Sequence, residues 1–338
     1  MIDEYPEGDE PAPEADLWFL PGPMEDAPDP RPPEAGGMDP WRRAEARLAA
    51  RLARVAGRLG ALDERLRRGP VGWRQRLALI EAADLGWLLG DRIAPDRLAL
   101  WVALRLSGVA EDTAALARLG WAVRRLAGGP GPLADLPAFL DRRDPLTAED
   151  QADPFADRAG GWLALMAQAA DLHPITRACA GFHQWGQAGL GQPGDRLEAA
   201  VTAARIAAGD GGGAVFAPLA MGGAMGRTQG LAGQGAAAVR LARWLEGMEA
   251  ACLTAMRHLE DIEGWAARAE AAMAPLSGRT PPALRAVLCE WPLVSAPMAE
   301  ALTGASRAAV QRNLAWMEGR GLVREVTGQG RFRMWRAA

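Results

Sequence analysis

From residue 39 onward, apolar side chains recur at helical spacing. Leu48, Leu52, Val55, Leu59, Leu62 and Leu66 follow one another at intervals of four and three, a 3.5-residue period that gives a helix one narrow apolar seam. The seam lasts under three heptads, which predicts packing against a neighbouring helix of the same chain and leaves pairing between two copies open. Asp39-Pro40-Trp41 opens this first helix, with Asp39 as N-cap and proline in the first turn. Further helices are expected over 73–90, 95–106, 111–127, 156–171, 174–187, 194–208 and 234–273, separated by glycine and proline breaks such as Gly128-Gly129-Pro130-Gly131-Pro132. The acidic stretch 141–157 reads as a loop with one short turn. Gly209-Asp210-Gly211-Gly212-Gly213 and Met221-Gly222-Gly223 read as loops or points of close packing.

The pattern changes after residue 280. Three short helices are followed by two runs of period two, 321–327 and 331–336, around a Gly328-Gln329-Gly330 turn. Helices succeeded by a two-stranded ribbon are the order of a winged helix-turn-helix. Ser295 is placed to cap a helix whose Met298 and Leu302 face the core, Gly304 to make the turn, and Ser306 to cap a second helix over 306–319. Val310, Leu314 and Met317 lie four and three apart on one face of that helix. The face opposite then carries Ser306, Arg307, Ala308, Gln311 and Arg312, side chains suited to base edges and phosphates in a major groove. Arg324, Arg331 and Arg333 fall on the wing, 322–336. Eight arginines and four glutamates between Thr280 and Ala338 make the segment basic.

Composition sharpens this picture by elimination. Alanine, leucine and arginine dominate, with one tyrosine and six phenylalanines, which favours helices over sheets. All 38 Lys+Arg residues are arginine. A phosphate-loop lysine, a kinase lysine and a pyridoxal Schiff base are therefore excluded, whereas fork-like phosphate contacts lose nothing. Cys179, Cys252 and Cys289 are too far apart for a Cys-x-x-Cys site and odd in number, so free buried thiols are expected. No cofactor, metal site or catalytic residue is expected. The acidic start and the lack of any apolar run near the ~20 residues of a membrane span point to a cytoplasmic protein without membrane contact.

Charge is unevenly divided. Residues 1–38 hold nine prolines and eleven acidic side chains against the single Arg31, a composition expected to be disordered. The chain carries −4 overall, so the remainder is net basic. Trp18-Phe19-Leu20 within the tail offers a docking motif for a protein partner, or is simply an apolar spot in a linker.

The run Leu62-Asp63-Glu64-Arg65-Leu66-Arg67-Arg68-Gly69-Pro70-Val71, the helix around Glu81-Ala82-Ala83-Asp84 and the ending from Arg324 to Trp335 resemble an uncharacterised bacterial family. Its members join a helical domain of unknown function to a C-terminal helix-turn-helix DNA-binding domain. The layout is also similar to Fic-domain proteins, which transfer nucleotide phosphates onto hydroxyls through a loop of the type His-Pro-Phe-x-Asp/Glu-Gly-Asn-Gly-Arg. Here the nearest stretch, from His183-Gln184-Trp185 to Asp195-Arg196-Leu197, lacks the proline, the asparagine and the spacing. The stretch from Phe216 to Arg227 has glycines and an arginine but no histidine. The inhibitory Ser/Thr-x-x-x-Glu-Gly pattern is missing too, with Leu85 and Leu89 before Gly90.

His173, His183 and His258 are the only histidines; their spacing rules out an i, i+4 metal pair, and helix-end or packing roles are expected. Glu260, Asp261 and Glu263 read as a solvated face near His258. Trp87, Trp101, Trp121, Trp162, Trp185 and Trp244 are expected in the core. The reading is a mainly α protein: an acidic tail (1–38), a helical, Fic-like bundle (39–275) and a winged helix-turn-helix (280–338). Its expected function is transcriptional regulation by binding double-stranded DNA as a homodimer. A catalytically inactive Fic-like or helical interaction scaffold, or an active nucleotidyl transferase, stays open.

Overall fold

In a computed structural model, residues 37–104, 112–142, 154–191, 194–209, 212–232 and 234–338 are described. The expected tail with its Trp18-Phe19-Leu20 motif, and most of the 141–157 loop, lie outside them. The described chain is mainly helical. It runs α1 (Asp39–Arg47), α2 (Ala49–Arg68), α3 (Gly72–Leu89), α4 (Pro95–Leu104), α5 (Thr113–Ala127), α6 (Leu136–Phe139), α7 (Pro154–Gln168), α8 (Pro174–Trp185) and α9 (Leu197–Ala207). A turn of 3-10 helix (Met221–Gly223) leads into α10 (Ala224–Arg227) and α11 (Ala237–Met273). Then come α12 (Thr280–Glu290), β1 (Val294–Ser295), α13 (Ala296–Thr303), α14 (Arg307–Gly319), β2 (Val323–Glu325) and β3 (Met334–Ala337). None of the described helices is long and apolar enough to cross a membrane.

The 37-residue α11, about 55 Å long at 1.5 Å per residue, is the spine. Leu241, Trp244, Met248, Ala251, Ala255, Leu259, Ile262 and Trp265 form its buried stripe. The heptad seam of α2 packs here: Leu52, Val55, Leu59, Leu62 and Leu66 are buried against α11. Ion pairs flank the seam, Arg51 to Glu246 at 3.1 Å, Arg54 to Glu249 at 3.2 Å and Arg65 to Glu260 at 3.4 Å. Each joins residues 195 positions apart. A constant offset requires two helices running parallel and in register, so the seam is an intramolecular version of a parallel coiled-coil pair with charged flanks.

Three local details differ from the sequence reading. Asp39 is the first residue of α1 rather than its cap, and it pairs with Arg42 at 2.7 Å instead. The helix breaks at Leu48 before α2 resumes. Trp87 is 56% exposed, with Arg92 over its ring, because it lies on the solvent side of α3; Trp162, Trp185 and Trp244 are buried as expected, and Trp101 and Trp121 half-buried.

Residues 38–338 form one compact unit, and α12 is fastened to the helical body by polar contacts as well as packing. The Arg76 guanidinium donates to the carbonyls of Leu288, Cys289 and Trp291 at 3.1, 3.2 and 2.7 Å. These are the orphan acceptors that a helix C-terminus leaves, so α3 caps α12 from outside. Trp73 Nε1 donates to the Cys289 carbonyl at 3.3 Å, and Trp265 Nε1 to the Leu322 carbonyl at 2.7 Å.

Candidate nucleic-acid interface

The C-terminal elements follow the order helix, strand, helix, helix, strand, strand. Both strand partners of the small sheet are antiparallel, with order β1-β3-β2. Arg324 lies opposite Arg336, and Glu325 opposite Trp335. The ladder ends at a bond from Val326 N to Met334 O of 3.0 Å. The connection between β2 and β3 is therefore longer than the expected Gly328-Gln329-Gly330 turn. Its start is organised by Glu325, whose carboxylate accepts from the amides of Thr327 and Gly328 at 2.8 and 3.0 Å. β1 was not expected; Leu293-Val294-Ser295 is too short for its apolar character to be distinguished from a helix entry.

Ser295 caps α13 by accepting from Met298 N at 3.2 Å, and Gly304, at φ 65°, ends it in the left-handed conformation that glycine adopts without cost. The buried face of α13 is Ala296 and Ala299, not Met298 and Leu302. Leu302 is 51% exposed. The two alanines pack α13 against α12 and α14, leaving Met298 half-buried.

Ser306 caps α14 by accepting from Ala309 N at 3.4 Å. Val310, Leu314 and Met317 are buried as the spacing predicts. Asn313 joins them, satisfied by a 2.8 Å bond from its amide to the Ala309 carbonyl. On the far side Ser306, Arg307, Ala308, Gln311 and Arg312 are all exposed, and Ala315 extends the same surface. Arg307 is 73% exposed at its side chain and only 4.0 Å from Glu300, an ion pair of negligible worth at that exposure.

The arginines of the β2–β3 ribbon divide. Arg331 is exposed, beside Phe332, which is 75% exposed at φ 57°. Arg333 lies over the Trp335 ring at 4.9 Å and pairs with Glu318 at 3.3 Å. Arg324 is drawn to the body instead: it pairs with Asp96 of α4 at 3.0 Å, and Arg336 reaches the same carboxylate at 2.9 Å. Sequence spacing placed Arg324 on the ribbon but had no means of showing that α4 stands beside it.

The two stretches compared with a nucleotide-transfer loop are occupied by the protein itself. His183 is stacked on Trp41 at 5.9 Å and edge-on to Phe182 at 5.2 Å. Burial, followed by the Arg240 and Arg196 charges, lowers its imidazole to about 3. His173 is a helix-end residue, accepting from Ile175 N at 3.2 Å. Along the 216–227 stretch, Glu81 accepts from the amides of Leu219, Ala220 and Met221 at 2.8, 2.9 and 3.1 Å, and Asp84 from that of Gly222 at 2.8 Å. These converging N–H groups resemble an anion nest, but its anions are two carboxylates from α3. Burial raises Glu81 to about 7 despite the three amide donors, which pull the other way. The three thiols are free, Cys179 and Cys252 buried and Cys289 half-buried.

Neither a protein-family model nor a curated protein matches this chain.

Proposed function

We propose that the protein is a cytoplasmic transcriptional regulator whose C-terminal segment is a winged helix-turn-helix that binds double-stranded DNA. The observation that carries the reading is the N-terminal half of α14. It buries one face completely while leaving Arg307, Ala308, Gln311 and Arg312 open to solvent. A helix end of this composition fits a major groove, with guanidinium groups for guanine edges or phosphates and an amide for adenine. Exposed Arg331 would add a backbone or minor-groove contact from the wing. One such helix reads only a few base pairs, so a homodimer supplies the second half-site. The heptad seam is already filled by α11, so the dimer would use another surface.

A second reading rests on the clamp between body and module: an interaction scaffold whose C-terminal module packs on its own bundle. Arg76, Trp73 and Trp265 support it. An active nucleotidyl transferase is not part of either proposal, since His183 is packed among Trp41, Phe182 and Trp244 and the amides of residues 219–222 are taken by Glu81 and Asp84.

Fluorescence anisotropy against labelled genomic duplex fragments, over a salt series, tests the first reading. Affinity falling steeply with salt is expected, because each phosphate contact releases counterions. No binding even at low salt would overturn it.

A further inference from the structure

A cavity of about 510 Å³ opens where the body meets the C-terminal module, within the roughly 300–1,000 Å³ range of small-molecule sites. Its walls are apolar: Leu79 and Ile80 from α3, Pro95 and Ala99 from α4, and Ile262 and Trp265 from α11. The module closes it with Pro292, Leu293 and Ala337. Three guanidinium groups line this apolar space. Arg76 spends its terminal nitrogen on backbone carbonyls and, among the described residues, has no carboxylate partner and leaves Nε buried without a hydrogen bond. Arg268 is exposed and makes no ion pair among the described residues. Arg336 stands 2.9 Å from Asp96 through Nε, without hydrogen-bond alignment. Burial, and after it the nearby Arg336 charge, lower the Arg76 guanidinium to about 10, so it stays charged at neutral pH.

We propose that this cavity binds a small organic acid, a single carboxylate on an apolar body, and that its occupancy is passed to the C-terminal sheet through Asp96. Three guanidinium groups against the two carboxylates of Asp96 and Asp261 leave the cleft with an excess of positive charge, which favours an anion, and guanidinium groups hold carboxylates in a fork. Asp96 and Asp261 also face the space, beside His258, so a phosphate dianion would meet about twice the repulsion that a single carboxylate does. The apolar walls take the rest of the ligand. A carboxylate drawn to Arg336 competes with Asp96, the residue that ties both Arg324 of β2 and Arg336 of β3 to α4. Only the step from sheet to DNA affinity rests on the regulator reading.

The test is thermal unfolding of the full chain with phenylacetate, 4-phenylbutyrate and octanoate, each beside its neutral amide. At ten times its dissociation constant a bound acid raises Tm by about 2–5 °C. At least one acid is expected to do so while its amide does not, and Arg268→Ala, a surface change that leaves the fold intact, abolishes the shift. No shift with any acid, an equal shift with the amides, or a shift that survives Arg268→Ala overturns the site. Hydrogen exchange in β2 and β3 then reads transmission without DNA. Faster exchange with acid bound is expected, and unchanged exchange overturns the coupling. An acid that binds and loosens the sheet in a protein with no affinity for DNA would leave this site standing and remove the regulator reading alone.

Discussion

Two parts of this molecule present groups suited to anions, and they use them in opposite ways. The 216–227 segment brings four successive amides together, those of Leu219, Ala220, Met221 and Gly222, as a phosphate loop does, yet Glu81 and Asp84 take all of them. The α14 face has no such convergent pocket, only exposed side chains, but its arginines carry almost no internal partner. Spacing along a chain shows what a segment is able to bind. Only the folded structure shows whether the protein has already bound it.

The comparison breaks most severely at Glu81. Glu81→Ala leaves three buried amide donors without an acceptor, and a cost of about 3–5 kcal/mol is expected from losing one side of a buried polar network. Urea unfolding measures it. DNA affinity of the fraction that remains folded should not change. A loss under 1 kcal/mol would mean that water or another acceptor replaces the carboxylate, and that the nest is open after all.

The same residue fixes a pH dependence. Its carboxyl is raised from an ordinary 4.5 to about 7 in the folded protein, so the folded state holds the proton more tightly. The contribution is complete below pH 4.5 and is lost as pH rises through 7, with a ceiling of about 3 kcal/mol. Stability at pH 8 should therefore fall below that at pH 5. Glu81→Gln should flatten the slope while lowering stability throughout, because its amide nitrogen faces the Met221 N–H where an oxygen is needed.

On the other side of the comparison, Arg307→Ala with Arg312→Ala should weaken duplex binding about 10- to 100-fold, as loss of groove and phosphate contacts does. Unfolding free energy should move by less than about 0.5 kcal/mol, since both side chains are exposed. Unchanged affinity would favour the scaffold reading.

Most of the helical framework was legible because periodicity reports burial directly. The α2 seam, the buried face of α14 and the breaks at Gly90, Gly128 and Gly304 were all readable in the sequence. What escaped were matters of one helix standing beside another in space. Nothing in the α13 pattern distinguishes a small-residue face of Ala296 and Ala299 from the larger Met298 and Leu302, because which face turns inward depends on how closely α12 approaches. Glu81 resembled any carboxylate on an amphipathic helix until the amides of residues 219–221, far along the chain, came to meet it. The candidate face was readable at α14, where helix position alone sets direction. At Arg324 the sequence placed the residue on the ribbon but not its Asp96 partner on α4.

That difference within the β2–β3 ribbon yields the smallest and most specific contrast. Arg324 and Arg331 were indistinguishable in sequence, but Asp96 partly neutralises the first while the second is exposed. If wing contacts require an unengaged guanidinium, Arg331→Ala should weaken DNA binding by a few-fold and lower the salt slope by about 1. Arg324→Ala should do less to binding. It should cost about 0.5–1 kcal/mol of stability, the worth of a half-exposed ion pair within a small network. Asp96→Asn provides the control: it releases Arg324 and Arg336 together, so it should slightly raise DNA affinity while lowering stability by a similar amount. Equal effects of Arg324→Ala and Arg331→Ala on binding would mean that DNA pulls Arg324 away from α4. The ion pair would then be part of the binding equilibrium rather than a fixed support.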